Sequence, residues 1–390
     1  MSYVEKNSLF GDVERRSVDD LTGKISKIIH KPEIVKVESF SQSGLFYEVD
    51  IKNSTCSCPA FQTNKRIPCK HLNKAFGFNF EKQEIPLSLI KSLVQKAVRR
   101  REVEVAIRSS KLMMSMDLNQ FLRRWLIIII EDAILHPDIG FIAKILNSGK
   151  GFRDLSTQEK DVIINCVFQV AESEERDVWV TRDRPYLDND GNDIVLRGKN
   201  SEYKVVSLPD NIKDMLFGIK YRCGIGGMRG DIVFMNNYYY LWVDRFVNLG
   251  WTFDDVCKFF KKSSLKFDDV CMLEKKDIIP EAADFHCTPL LRIMLKKEYF
   301  VDLLQKYYPN QILEDLKGIE GVAGSFLWRQ MSCINLKRIY DGSQNMQAVW
   351  YSCDGGEKFD RKIDEYIFSV IKNEVYRIMN WYINKAVTLK

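Results

Sequence analysis

The chain has 390 residues, of which 45% are hydrophobic and 28% charged, and a formal net charge of +5. These values fit a globular protein of two or three domains and exclude a disordered or uniformly polybasic chain, so an anionic partner must be met by a local patch. No apolar run approaches a membrane span, the longest being the six residues Trp125 to Ile130, and the first twenty residues lack the apolar stretch of a secretory signal. Ten cysteines without small-scaffold spacing point to a reducing compartment, nucleus or cytoplasm.

In chain order, residues 1–29 are a polar N-terminal segment, with one short helix suggested around Leu21, Ile25 and Ile29. Residues 30–82 are the most informative stretch. Val35 to Ser41 reads as a strand, Ser43-Gly44 as a turn, and Leu45, Tyr47, Val49 and Ile51 alternate as a second strand. That hairpin delivers Cys56 and Cys58, and Pro59 ends the extended run. Cys69 and His71 repeat the one-residue gap at the start of a short apolar helix with Leu72, Ala75 and Phe76. Three thiolates and one imidazole complete a tetrahedral zinc shell with no open position, which makes the site structural.

These residues resemble the SWIM zinc finger. Cys56-Ser57-Cys58-Pro59-Ala60-Phe61 and Pro68-Cys69-Lys70-His71 match its two halves, behind a Tyr-x-Val-Asp strand. The resemblance covers about residues 30–80 and implies zinc binding with a role in DNA or protein interaction. Such modules occur in Mutator-type transposases, helicase-like ATPases, some kinases and recombinase-associated repair factors.

Between Lys52 and Phe80 the chain carries five basic residues, Lys52, Lys65, Arg66, Lys70 and Lys74, and no acidic one. The plain reading is a solvated loop; the functional one is a phosphate-contacting face on a zinc scaffold. Residues 83–160 read as a helical domain. Its second basic segment contains Arg99, Arg100 and Arg101, and is either a surface helix or a further nucleic-acid stripe. Arg100, Glu104 and Arg108 stand at i,i+4 spacing, as if on one helix. Residues 122–135 are apolar all round and predict a buried helix, with Arg123, Arg124, Glu131 and Asp132 as ion pairs at the core edge.

Residues 161–248 read as a mixed α/β region, with a β-hairpin over Asp177 to Arg197 and a turn at Asp188, Asp190 and Asp193. The Gly-rich stretch Cys223 to Asp231 reads as a connection between helices, since Arg229 stands where a dinucleotide fingerprint needs glycine. Tyr238 to Trp242 contains four aromatics that could stack bases, though consecutive rings point in several directions and predict mostly core. Residues 249–390 read as a C-terminal helical domain. Phe253 to Cys257 is echoed at Phe267 to Cys271, Asp284, His286 and Cys287 are structural, and Phe368 to Ile383 forms a final helix.

None of the three Gly-Lys pairs, at Gly23, Gly149 and Gly198, is followed by Ser or Thr, so there is no phosphate-binding ATPase loop. Kinase and hydrolase signatures are likewise missing from the sequence. The expectation is an α+β protein: a small N-terminal ββα zinc module, then a mainly α-helical body with a β-hairpin insertion. It is expected to be non-enzymatic and to bind DNA or RNA through Lys65, Arg66, Lys70, Lys74, Arg99, Arg100 and Arg101, in replication, recombination, repair or transcription, with no membrane association. The alternatives are an adaptor docking a partner ATPase or recombinase and, less favoured, a transposase-like nuclease.

Overall fold

The structure is a computed structural model that describes residues 34–39, 41–50, 55–64, 69–75, 85–177, 207–226, 229–284, 286, 288–314, 318–333, 339–340, 344–345 and 359–389. The expected N-terminal helix, the Asp188 turn and the hairpin beyond Asp177 lie outside these residues.

Alternation of apolar and polar residues builds the first sheet. β1 (Ile34–Glu38) pairs antiparallel with β2 (Phe46–Asp50), Val35 opposite Val49 and Val37 opposite Tyr47. Period two turns these four side chains to one face, where Val37 and Val49 are buried, and leaves Ile34, Lys36, Phe46 and Glu48 exposed on the other. Gly44 at φ +79° closes the turn, and its amide donates to Glu38 Oε1 at 2.9 Å. β3 (Thr55–Cys56) adds to β2, and two short helices follow, α1 (Pro59–Asn64) and α2 (Lys70–Ala75). Pro59 takes the first helical position, where its missing N–H costs nothing. α2 packs on β1 and β2.

The body begins with α3 (Leu87–Arg99), α4 (Val103–Met116), α5 (Leu118–Asp132), α6 (Ile139–Ser148) and α7 (Thr157–Glu172). The turn between α3 and α4 is made by Arg101 in the left-handed region at φ +54°. It separates Arg100 from Glu104, so the continuous charge stripe expected there does not form. Only Arg108 and Glu104 keep the i,i+4 pair, at 3.3 Å. α5 carries the apolar run expected to be buried on every side: Trp125, Leu126, Ile128, Ile129 and Ile130 are buried, but one side stays open, with Asn119 and Arg123 exposed and Gln120, Arg124, Ile127 and Glu131 half-buried. Asp117 caps it, accepting from the Gln120 amide at 2.9 Å. Residues 162–170 are the middle of α7, whose start is fixed by a reciprocal Ser156–Glu159 capping box.

β4 (Glu175–Arg176) pairs parallel with β5 (Ile339–Tyr340), which pairs antiparallel with β6 (Gln344–Asn345). Strands of two residues leave no periodicity to read, and this sheet was not anticipated. α8 (Asp210–Gly224) and α9 (Arg229–Val247) flank the Gly-rich stretch, which is a helix connection as expected. α8 crosses α6 at backbone contact: a Cβ on Gly140 would sit 2.1 Å from the Asp214 carbonyl oxygen, and one on Gly218 would sit 2.8 Å from the Ile139 backbone.

The two Phe-Asp-Asp-Val-Cys segments fold differently. The first is α10 (Phe253–Cys257), capped by Thr252 and Asp255; the second opens a single 3-10 turn, Phe267–Asp269. α11 (Leu290–Met294), α12 (Glu298–Tyr307), α13 (Pro309–Glu314), α14 (Gly318–Cys333) and α15 (Arg361–Ala386) complete the chain. α15 is longer than the segment predicted at residues 368–383. The architecture is α+β: a small sheet followed by a helical body. No described helix is long and apolar enough to cross a membrane.

Buried charge ties the body together. Asp364 accepts from Arg329 Nε at 3.0 Å and Nη2 at 2.8 Å and from the Tyr308 hydroxyl, with Arg329 also stacked 3.6 Å from the Phe359 ring centroid. Neither member of the pair is exposed. Asp177 accepts from Trp242 Nε1 at 2.8 Å and forms a two-pronged pair with Arg245.

Candidate metal centre

The site is assembled from three local devices. The β2–β3 ladder places Cys56 directly opposite Val49, so its side chain points to the buried face of the sheet. Ser57 then locks to Glu48: its amide donates to the Glu48 carbonyl at 2.9 Å and its hydroxyl accepts from the Glu48 amide at 2.9 Å. That turns Cys58 back toward Cys56, and the Cys58 amide donates to Cys56 Sγ at 3.5 Å. The Cys58 carbonyl starts α1 by accepting from Phe61 and Gln62, both at 3.0 Å, and Gln62 Nε2 returns to the Cys56 carbonyl at 3.1 Å. Cys69 precedes α2 and His71 sits in its first turn.

The four ligand atoms of Cys56, Cys58, Cys69 and His71 lie within 4.8 Å of one another, and all four side chains are buried. A tetrahedral zinc shell with Zn–S near 2.3 Å has ligand–ligand edges of about 3.8 Å, so the cluster has the right dimensions. The donor chemistry agrees. Burial pushes the Cys56 thiol up to about 12, with the Cys58 amide opposing and the Cys69 and Cys58 thiols adding to the rise. Burial raises Cys69 too, against the Leu72 amide. Thiols held together in this way become ligands when a dication compensates their charge. The Cys3His group is positioned to bind zinc. Tyr47, on β2, supports the histidine: its ring centroid is 4.6 Å from that of His71. The sequence showed Tyr47 only as one member of an alternating strand.

Among the described residues, the predicted phosphate-contacting positions are divided between α2 and the body. Lys65 and Arg66 lie outside the described residues. Lys70 and Lys74 are on α2, one turn apart. Arg99 and Arg100 are buried in the body: Arg99 Nε donates to Asp132 at 2.5 Å, and Arg100 Nη2 to the Met331 carbonyl at 2.8 Å. Arg101 bridges the Glu172 carbonyl at 2.8 Å and Glu174 at 3.0 Å. These three cations are engaged by the fold. Arg124 reaches Gln95 at 3.3 Å, while Asp132 takes Arg99 as its partner rather than a neighbour on its own helix.

Two other constellations are structural. Burial would raise the Asp284 carboxyl, yet Lys96 and His286 hold it well below the usual range. His136, Cys166 and Gln169 have the order of a nucleophilic triad, but all the reactive atoms are enclosed: Cys166 and His136 are buried, and burial raises the thiol far above its ordinary value. Such a cysteine is inert.

No curated protein and no solved structure matches the chain. Residues 47–76, from Tyr47 through all four ligands, match the SWIM zinc finger family.

Proposed function

We propose that the protein is a non-enzymatic, zinc-stabilised nucleic-acid-binding accessory factor serving replication, recombination, repair or transcription, in the nucleus or cytoplasm. The carrying observation is the charge bias of the stretch of sequence that holds the metal ligands. Residues 52–80 hold five cations and no carboxylate, whereas β1 and β2 hold Glu38, Glu48 and Asp50 against Lys36. Phosphates would be met by Lys65, Arg66, Lys70 and Lys74 rather than by the acidic strands. Such contacts give affinity with little sequence choice. A shell closed by four protein ligands leaves no coordination site for water, which favours a structural over a catalytic zinc.

A second reading, an adaptor for a protein partner, draws on Ile34 and Phe46, each 54% exposed on the outer sheet face. A salt titration separates them. Four phosphate contacts give a log–log slope of about −4 on duplex DNA. Charge reversal at Lys65, Arg66 and Lys70 should abolish binding while zinc content is kept. Undiminished duplex affinity in that variant would remove the phosphate face from the account.

A further inference from the structure

The hairpin of α8 and α9 carries a second surface. On α8, Phe217, Lys220 and Tyr221 stand at i, i+3 and i+4 and share one side. Phe217 is 39% exposed, and its ring lies 5.6 Å from that of Tyr221. On α9 the aromatic run divides: Tyr238, Leu241 and Trp242 enter the core, while Tyr239 is half-buried and Tyr240 is 36% exposed. The rings of Tyr239 and Tyr240 meet edge-to-face at 5.4 Å. Lys220 reaches from α8 to the second pair, its Nζ 4.9 Å from the Tyr239 centroid and 6.0 Å from that of Tyr240. The carboxylates at the other end of α8 are already neutralised, Asp210 by Lys213 at 3.1 Å and Asp214 by Lys144 at 2.5 Å.

A single exposed ring is ordinary. Two ring pairs, one of them beside an exposed ammonium, offer both halves of a nucleotide a partner: flat faces for bases and a cation for phosphate. Duplex bases are stacked on one another and cannot reach such a surface; unpaired bases can. We infer that the Phe217–Lys220–Tyr221–Tyr240 surface is a stacking platform for single-stranded nucleic acid. The inference rests on the nucleic-acid reading of the chain and adds a strand preference at a site away from the zinc ligands.

The test uses the full chain and fluorescence anisotropy with labelled oligo(dT) of about twenty nucleotides and a duplex of similar length, a span that exceeds one stacking site. The double variant Phe217→Ala/Tyr240→Ala should weaken oligo(dT) binding by about tenfold or more and leave duplex binding unchanged. Lys220→Glu should weaken oligo(dT) binding too, and a 5-iodouracil-containing strand should crosslink to the peptide bearing Tyr240, a readout that needs no variant. Wild-type oligo(dT) affinity in the double variant together with no crosslink on α8 or α9 overturns the inference. If charge reversal at Lys65, Arg66 and Lys70 then still abolishes duplex binding, the function proposed for the zinc module stands. If the wild-type chain binds neither probe, both readings fall; if oligo(dT) binding depends on the rings while duplex binding ignores the lysines, the platform stands and the module's phosphate face does not.

Discussion

The zinc module and the helical body are stabilised by opposite means. The module buries few large side chains, chiefly Val37, Val49 and Leu72, and relies on four residues brought to one point. The body buries most of helices such as α5 and threads ion pairs between segments far apart in sequence, Lys96 with Asp284 and Arg329 with Asp364. A sheet of two five-residue strands and one two-residue strand is too small to stand alone, so metal binding there is folding energy. The body's order comes from packing and from pairing its own charges. The same residue types thus serve different ends: lysines near the metal lack carboxylates in their stretch of sequence, while Lys96, Arg99 and Arg100 in the body are consumed by the fold.

The largest break in this comparison comes from removing the metal. Structural zinc contributes on the order of 10 kcal/mol to small zinc modules, so chelation or Cys69→Ser should unfold residues 46–75. Hydrogen exchange should then show lost protection in β2, β3 and α2, with the protection of α5 and α7 unchanged.

Next is the buried pair on α14 and α15. Arg329→Met leaves Asp364 charged and enclosed and should cost about 3–5 kcal/mol in denaturant unfolding. Adding Asp364→Leu should recover part of that loss, because two apolar side chains need no partner, while the Tyr308 hydroxyl keeps its bond to the Asp360 carbonyl at 3.2 Å. Failure of the second change to recover stability would show that the pair does more than neutralise itself.

Gly140→Ala follows. Its Cβ would sit 2.1 Å from the Asp214 carbonyl, a clash with backbone, and α6 and α8 must separate. A loss of about 3 kcal/mol is expected by denaturant unfolding. Zinc content should be unaffected.

The body should also carry an acid sensitivity. Burial pushes His136 down to about 4, against an ordinary value of 6.5, with Gln169 opposing. The folded ring stays neutral, its Nδ1 accepting from the Asp138 amide at 3.0 Å, while the unfolded ring takes up a proton. Its contribution is therefore intact above pH 6.5 and is lost as pH falls toward 4, by about 3 kcal/mol. His136→Gln should flatten that part of the pH profile; an unchanged profile would place the sensitivity elsewhere.

How much of this could be read from residues differs between the two parts for a physical reason. The ligand set is encoded by short spacings, Cys56 to Cys58 and Cys69 to His71, and the strand before it by alternation, so both were legible; β3 and α1 were not, since two residues carry no period and Pro59 read as the end of an extended run rather than the start of a helix. The buried part of α5 was legible from its apolar run, whereas its open side, marked by Asn119 and Arg123, was not separated from it. Arg99 and Arg100 were not: the partners that bury them, Asp132 and the Met331 carbonyl, are 33 and 231 residues away, and no local pattern reports them. The turn at Arg101 was hidden because an arginine gives no sign of a positive φ. The division of the aromatic run on α9 became readable only when its helix was placed against α8.

The most direct measurement of the central claim is metal analysis of the natively purified chain beside its Cys58→Ser variant. The account predicts one zinc per chain in the first, in a sulfur-rich shell of three sulfurs and one nitrogen by X-ray absorption, and loss of that zinc in the second. Native protein without zinc, or a variant that keeps its zinc with unchanged affinity, would contradict it.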